Sequence, residues 1–74
     1  MRITVKLFAS FRAGRFIREI RDCADGTRVA DIASVLGIAQ SEIGIIMVDG
    51  RHAELDHVLR DGATLSLFPL LGGG

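Results

Sequence analysis

Residues 25–37 read D-G-T-R-V-A-D-I-A-S-V-L-G, and this stretch predicts one short amphipathic helix. Thr27 follows a turn-forming Asp-Gly pair and is suited to be the N-cap of a helix that begins near Arg28, with Asp31 favourably placed in the first turns. The apolar side chains that follow have the spacing of one buried helical face. They are Val29, Ile32, Ala33 and Leu36. Gly37 then supplies the C-terminal stop, so one face of a short helix is expected to pack on the rest of the chain.

Two β-rich runs precede this helix. Residues Arg2 to Phe8 alternate in polarity, which predicts a half-buried strand. Its inward side chains are Ile3, Val5 and Leu7. After a loop at residues 9–14, a second β-rich run extends from Arg15 to about Cys23. The short separation of the two runs favours an antiparallel hairpin.

Further strands are predicted after the helix. A short helical turn is expected at Gln40 to Ile43. Gly44 to Asp49 then carries a near-continuous apolar run that suits a central strand covered on both faces or lying near a partner surface. Asp49-Gly50 is a turn-forming dipeptide, and it precedes a candidate short strand at Arg51 to Ala53.

The last predicted strand is Thr64 to Phe68. Leu65 and Leu67 are expected to face inward, and Ser66 and Phe68 outward. Leu55 and Leu59 are the apolar anchors of the polar segment before this strand. One helix between a hairpin and later strands predicts an α+β sheet that the helix covers on one side. The folded domain is expected to occupy residues 1–68, and residues 69–74 form a flexible tail.

Composition excludes several classes of function. Nine basic and nine acidic side chains cancel, so there is no electrostatic case for binding nucleic acid or an anionic membrane. Arg12, Arg15, Arg18 and Arg21 form only a local bias, and their spacing fits the solvated positions of a strand. The single cysteine, Cys23, excludes an internal disulfide and, with two scattered histidines, leaves no metal site of the zinc type. Without a bilayer-length apolar run or a secretory signal, the protein is expected to be cytoplasmic.

The chain ends in Pro69-Leu70-Leu71-Gly72-Gly73-Gly74. Glycine has no Cβ, so Gly72, Gly73 and Gly74 are suited to thread through a channel too narrow for other residues. Pro69 lacks an N–H, and the sheet is therefore expected to stop before it. The free carboxylate of Gly74 is the candidate reactive group. On composition alone a frayed C-terminus is the alternative, because Gly-rich segments are usually flexible linkers.

Several segments in this order carry a family resemblance. They are Phe8-Ala9-Ser10-Phe11-Arg12, Asp25-Gly26-Thr27 with Val29-Ala30-Asp31-Ile32, Val48-Asp49-Gly50, Leu55 to Gly62 with Phe68-Pro69, and Gly73-Gly74. Together they resemble the ubiquitin-like sulfur carriers of the MoaD/ThiS type, and the first is similar to the Phe-Ala-x-x-Arg segment of the molybdopterin synthase small subunit. The resemblance implies the β-grasp fold, a mixed four- to five-stranded sheet packed on one main helix. Leu70 and Leu71 depart from the Pro and Val or Ala that are more frequent in molybdopterin carriers, and Arg28 separates Thr27 from Val29.

The resemblance also implies a chemistry. An adenylating enzyme of the ubiquitin-activating type uses ATP, with Mg, to convert the Gly74 carboxylate into an acyl adenylate, and a sulfur donor converts this into a thiocarboxylate. The sulfur passes to an acceptor such as a synthase large subunit, with a molybdopterin precursor as the first candidate. The carrier itself would bind no cofactor or metal and would not be an enzyme. A thiamine-thiazole sulfur carrier, a protein modifier joined to lysines and a non-covalent interaction module are the alternatives.

The implied partner surface is the sheet face away from the helix, together with the tail. Phe8, Met47 and Phe68 are apolar at outward positions where a solvated face would be polar, and such residues are enriched in interface cores. Pro69, Leu70 and Leu71 extend this surface toward the glycines. Phe11, in the loop, fits the interface and the core equally well. His52 and His57 are expected to be solvated, and Cys23 to be a small buried apolar side chain.

Overall fold

The computed structural model of the chain describes residues 1–71. It contains five strands, β1 (Arg2–Leu7), β2 (Arg18–Asp22), β3 (Ile43–Val48), β4 (Arg51–His52) and β5 (Thr64–Pro69), and one α-helix, α1 (Val29–Val35). Short 3-10 turns occupy Ala9–Arg12 and Gln40–Glu42. The strands form one sheet in the order β2-β1-β5-β3-β4, in which only the β1–β5 pair is parallel. The predicted hairpin is confirmed by the antiparallel pairing of β1 with β2.

The core lies between one face of the sheet and α1. Ile3, Val5 and Leu7 of β1 are fully buried, as are Leu65 and Leu67 of the neighbouring β5. They pack in one cluster with the helix side chains Val29, Ile32 and Ala33. Strand alternation places alternate side chains on one face, and the core positions are the apolar ones that the sequence indicates. The predicted α+β architecture, one main helix on a mixed sheet, is therefore confirmed.

The ends of α1 are set by residues that differ in part from those predicted. Thr27 is not the N-cap, because its hydroxyl donates to the Ala24 carbonyl at 2.6 Å. Arg28 is the N-cap residue, and its N–H donates to the Asp31 carboxylate at 2.9 Å. Gly37 ends the helix as predicted, with a φ of 71° that only glycine adopts easily. The buried Ile38 then donates its N–H to the Ala33 carbonyl at 2.9 Å, which completes a Schellman-type ending.

The second strand is shorter than predicted. Of the arginines near it, Arg12, Arg15 and Arg18 are exposed as predicted, whereas Arg21 is half-buried. β2 begins only at Arg18. Arg15 lies before it and donates to the carbonyls of Leu36 and Gly37, so it ties the β1–β2 connection to the end of α1. The Arg21 side chain is half-buried and lies 2.6 Å from the Glu19 carboxylate. These contacts give two of the four arginines structural roles, and the exposed outward side chains of β2 include the apolar Ile20 beside Arg18.

The last strand extends further than predicted. β5 includes Pro69, which pairs with Ile43 of β3. The Phe8 N–H donates to the Leu67 carbonyl, so the next rung of the parallel β1–β5 ladder would need the N–H that Pro69 lacks. The proline thus ends the ladder with β1 but leaves the ladder with β3 intact. Pairing continues to Leu70, whose N–H donates to the Glu42 carbonyl at 2.9 Å.

The described residues bear on the predictions about membrane helices, metal sites, Cys23 and the domain boundary. Within residues 1–71, no helix is long and apolar enough to cross a membrane. The same part of the chain holds no group of three His, Cys, Asp or Glu side chains that could bind a metal ion. Cys23 is half-buried rather than buried. The division into a domain at 1–68 and a tail at 69–74 stays a prediction, since Gly72, Gly73 and Gly74 lie outside the described residues.

Candidate functional site: the outer sheet face and the root of the tail

The outer face of the sheet, on the side away from α1, carries a row of apolar side chains. Phe68 of β5 pairs with Ile45 of β3, and Phe8 follows the last residue of β1. We call Phe8, Phe68 and Ile45 the apolar row. Phe8 and Phe68 are half-buried and Ile45 is 40% exposed. An apolar row on a face that no helix or strand of residues 1–71 covers is a candidate partner surface.

The two phenylalanines of the row are stacked on each other. Their ring centroids lie 4.1 Å apart and their planes differ by 12°. The Arg12 guanidinium lies 5.3 Å from the centroid of the Phe8 ring, within the range of a cation–π contact. Its Nε also donates to the Leu7 carbonyl at 2.7 Å. The stack is therefore held from one side by a cation, which leaves the rest of the row free for contact.

The Phe8 to Arg12 segment closes on itself. Phe8 is extended, Ala9 takes a positive φ of 50°, and the chain turns through the 3-10 turn that follows. This turn carries Phe11 into the core, where it is 3% exposed, and brings Arg12 back over Phe8. Phe11 therefore belongs to the core and not to the outer surface. The spacing of the Phe-Ala-x-x-Arg pattern is explained by one outward ring, one turn and one returning cation.

A second row of the outer face is more polar. Cross-strand pairing aligns Arg18, Lys6, Ser66, Met47 and His52 across the five strands. Met47, predicted to be an interface residue, is half-buried in this row, between Ser66 and His52 and next to the apolar row. Arg18, Lys6 and His52 are exposed, so this row offers basic groups and no acidic one. A partner with an apolar centre and acidic edges would match both rows.

The root of the tail leaves the sheet at the same end as the apolar row. Pro69 is half-buried within β5, next to Phe68. The side chains of Leu70 and Leu71 are 65% and 84% exposed. The candidate reactive Gly74 and its neighbours Gly72 and Gly73 follow directly, outside the described residues. The structure thus brings Phe8, Phe68, Pro69 and the leucines together at one end of the sheet.

Two site residues were missed by the sequence analysis. Arg12 was assigned to a solvated strand position, and its place over Phe8 depends on the turn at Ala9. Ile45 was assigned to a run covered on both faces or lying near a partner surface, and it was not named as an interface residue. The burial of Ile46 and Val48 shows that Ile45 and Met47 face outward, and strict alternation within the run would have indicated this. His52 and His57 are exposed, as predicted.

Comparisons with known proteins bear on the family and the fold of the chain. A model of the ThiS family matches residues 5–74. A Pyrococcus furiosus protein named for subunit 1 of molybdopterin converting factor is 27% identical, covers 93% of this chain and 97% of its own, and superposes with a TM-score of 0.75. Small archaeal modifier protein 1 of Haloferax volcanii is 24% identical, with 92% and 95% coverage and a TM-score of 0.73. Among curated proteins there is no match.

A third structure contains two subunits. It is a complex of subunits 1 and 2 of molybdopterin-converting factor from Helicobacter pylori, which matches with 18% identity, full coverage of both chains and a TM-score of 0.67. At this identity the likeness shows the fold alone, and it confirms the ubiquitin-like β-grasp architecture that the resemblance implied. The family model covers nearly the whole chain, including the terminal glycines. The chain therefore belongs to the ThiS family, the small ubiquitin-like sulfur carriers of the MoaD/ThiS type, which are carriers and not enzymes.

Proposed function

We propose that the chain carries sulfur as a thiocarboxylate on Gly74, and that it delivers this sulfur in molybdopterin biosynthesis. The observation that carries the proposal is the family match, which runs through residue 74 and so includes the terminal glycines. The exposure of Leu70 and Leu71 supports it, because the domain does not cover these two side chains at the start of the tail. Gly72 and Gly73, which lack side chains, then give Gly74 access to a narrow active site.

Activation of Gly74 takes place on a partner. A carboxylate is a poor electrophile, so a ubiquitin-activating-type enzyme uses Mg-ATP to form the Gly74 acyl adenylate and releases pyrophosphate. The terminal sulfur of a persulfide donor attacks the acyl carbon, and AMP leaves. A thiol then cleaves the sulfur–sulfur bond of the acyl disulfide and leaves the thiocarboxylate. This chain supplies the carboxylate and the docking surface, while the nucleotide site and the sulfur donor belong to other proteins.

The outer face is the proposed docking surface for these partners. Its apolar row offers stacked aromatic rings, which are favoured in interface cores. The basic side chains Lys6 and Arg18 lie beside this row and would pair with acidic groups on the partner. Because β5 ends next to the row, a protein that docks there lies within reach of the tail.

Molybdopterin synthesis is the proposed pathway for two reasons. The Pyrococcus furiosus protein named for molybdopterin converting factor is 27% identical over nearly the whole of both chains. The Phe8 to Arg12 segment, similar to that of the synthase small subunit, forms an ordered unit beside the tail. The Helicobacter pylori structure pairs its small subunit with a second subunit, and we propose a synthase large subunit as the corresponding acceptor here.

The test is intact mass spectrometry of the purified chain after incubation with Mg-ATP, the activating enzyme of the same cell and a persulfide donor. The expected result is a mass gain equal to exchange of one oxygen for one sulfur, mapped to Gly74 and absent without ATP. A chain lacking Gly73 and Gly74 is the matched control and should stay unmodified. No gain with an enzyme shown to be active would overturn the carrier proposal, and covalent addition to a second protein would favour the modifier instead.

The pathway is tested separately. The thiocarboxylated chain is mixed either with a candidate large subunit and a molybdopterin precursor, or with a candidate thiazole-forming enzyme and the precursor of the thiamine thiazole. Loss of sulfur from Gly74 only in the first mixture supports the proposed pathway. Loss only in the second would assign the chain to thiazole formation.

A further inference from the structure

β3 contains one extra residue at the point where β5 ends. Phe68 pairs with Ile45, but the next residue, Pro69, pairs with Ile43. Gly44 therefore has no partner of its own, which is the arrangement of a β-bulge. Bulges bend a strand and re-aim the residues beside it, so this one acts on the root of the tail.

Gly44 has no room for a side chain. A Cβ at this position would lie 2.9 Å from the Pro69 carbonyl oxygen, 3.0 Å from the Leu70 Cα and 3.1 Å from the Leu70 nitrogen. All three are backbone atoms, which cannot rotate away as the end of a side chain can. The φ of Gly44 is not positive, so the backbone conformation itself would accept another residue. The need for glycine comes from the close approach of Pro69 and Leu70.

Within residues 1–71, the same two residues make the last backbone contact between the tail and the domain. The Leu70 N–H donates to the Glu42 carbonyl at 2.9 Å, one residue beyond the Ile43–Pro69 pair. The Leu70 side chain is mainly exposed and adds little to this attachment. The position of the tail root, Pro69 and Leu70, therefore depends on how closely its backbone packs against Gly44. We call this packing the seating of the tail root.

We infer that Gly44 is a positioning residue for the C-terminal tail. Its missing side chain lets Pro69 and Leu70 lie against β3, which fixes the direction in which the tail leaves the sheet. For the reaction at Gly74 this inference rests on the proposed function. The seating of Pro69 and Leu70 is a separate physical claim, and it is testable without any partner.

The seating is tested by hydrogen exchange, measured by NMR at single amides of the full chain. In the wild-type chain the Leu70 amide should exchange more slowly than that of Leu71. In Gly44→Ala the Leu70 amide is expected to exchange about tenfold faster or more, while Leu65, in the middle of β5, keeps its wild-type rate. An unprotected Leu70 amide in the wild-type chain, or an unchanged rate in Gly44→Ala, would overturn the seating claim. If the variant does not fold, protection of the Leu70 amide in the wild-type chain still tests whether Leu70 is bonded to the domain.

Gly26→Ala is the matched control. Gly26 also resists substitution, because its φ is 88°, but nothing lies within 4 Å of its missing Cβ. It lies between β2 and α1, at the end of the sheet where β1 begins, whereas the tail leaves at the other end. Gly26→Ala should therefore lower global stability without a selective effect on Leu70. Selective loss of Leu70 protection in this control would also count against the inference.

The effect on chemistry is tested with the activating enzyme by following formation of the thiocarboxylate. Gly44→Ala keeps the apolar row, so KM for the carrier should change less than about twofold, whereas kcat should fall about tenfold or more because the tail is misdirected. Gly26→Ala should keep both values once it is folded. Unchanged kcat in Gly44→Ala would refute the positioning role. If the wild-type chain does not react, the proposed function fails, and the exchange experiment alone decides the seating.

Discussion

The stacked pair Phe8 and Phe68 gives a quantitative test of the site. Both rings are half-buried on the outer face and lie nearly parallel, with centroids 4.1 Å apart. Full burial of such a side chain stabilises a protein by about 1.5–3 kcal/mol, so half burial of each ring contributes roughly 0.75–1.5 kcal/mol. Stacking adds about 0.5–1.5 kcal/mol beyond burial. Phe8→Ala and Phe68→Ala should therefore each destabilise the chain, and the double substitution should cost less than the sum.

The assay is urea unfolding followed by circular dichroism, because the chain has no tryptophan or tyrosine for intrinsic fluorescence. The coupling between the rings is the difference between the double substitution and the sum of the single ones. Ser66→Ala, at a half-buried position of the next row, is the control, and it should change stability by less than about 0.5 kcal/mol. Additivity of the two phenylalanine substitutions within about 0.3 kcal/mol would refute a stabilising stack.

Three further predictions follow from the same geometry. Phe68→Asp should keep the circular dichroism spectrum of the fold but weaken binding to the activating enzyme in calorimetry; unchanged affinity, or an unfolded variant, would contradict the docking surface. Leu67→Ala empties a fully buried position and should cost about 2–5 kcal/mol, close to the whole stability of a domain this small, so a urea midpoint near that of wild type would be inconsistent with the described core. Deleting Gly72 keeps a Gly-Gly ending but shortens the tail by about 3.3 Å, and it should slow thiocarboxylate formation in the mass assay without changing unfolding by urea. A normal rate would mean that the reach of the tail is not limiting.

The elements that the sequence predicts correctly are those set by local pattern. Ile3, Val5 and Leu7 alternate with polar residues, and this alternation indicates both the strand and its buried face. Gly37 marks the end of the helix because the positive φ required there is local to one residue. In both cases the information lies within a few neighbouring residues.

The elements that the sequence does not predict depend on contacts between distant segments. Proline lacks the N–H that would continue the ladder between β5 and β1. The ladder between β5 and β3 does not need this N–H, so β5 extends through Pro69. Arg15 is fixed by carbonyls at the end of α1, which lie 21 and 22 residues away in the chain. Thr27 is not the N-cap because its hydroxyl donates to the Ala24 carbonyl. A hydrogen bond to a nearby backbone group can therefore replace the capping interaction that the sequence pattern indicates. The role of Gly44 is visible only once β3 and β5 are paired.

The apolar row and the tail root lie at the same end of the sheet because of its topology. β1 and β5 are parallel neighbours, so both strands end at the same end of the sheet, where the Phe8 ring stacks on the Phe68 ring. β3 is antiparallel to β5 and begins at that end of the sheet. This places Ile45 beside Phe68 and Gly44 against the backbone of Pro69 and Leu70. A partner that covers the row therefore meets the tail where its direction is already set by backbone contacts with β3. Recognition and presentation of the C-terminus then depend on different residues, which is why substitutions in the row should act on affinity and substitution of Gly44 on the rate of reaction.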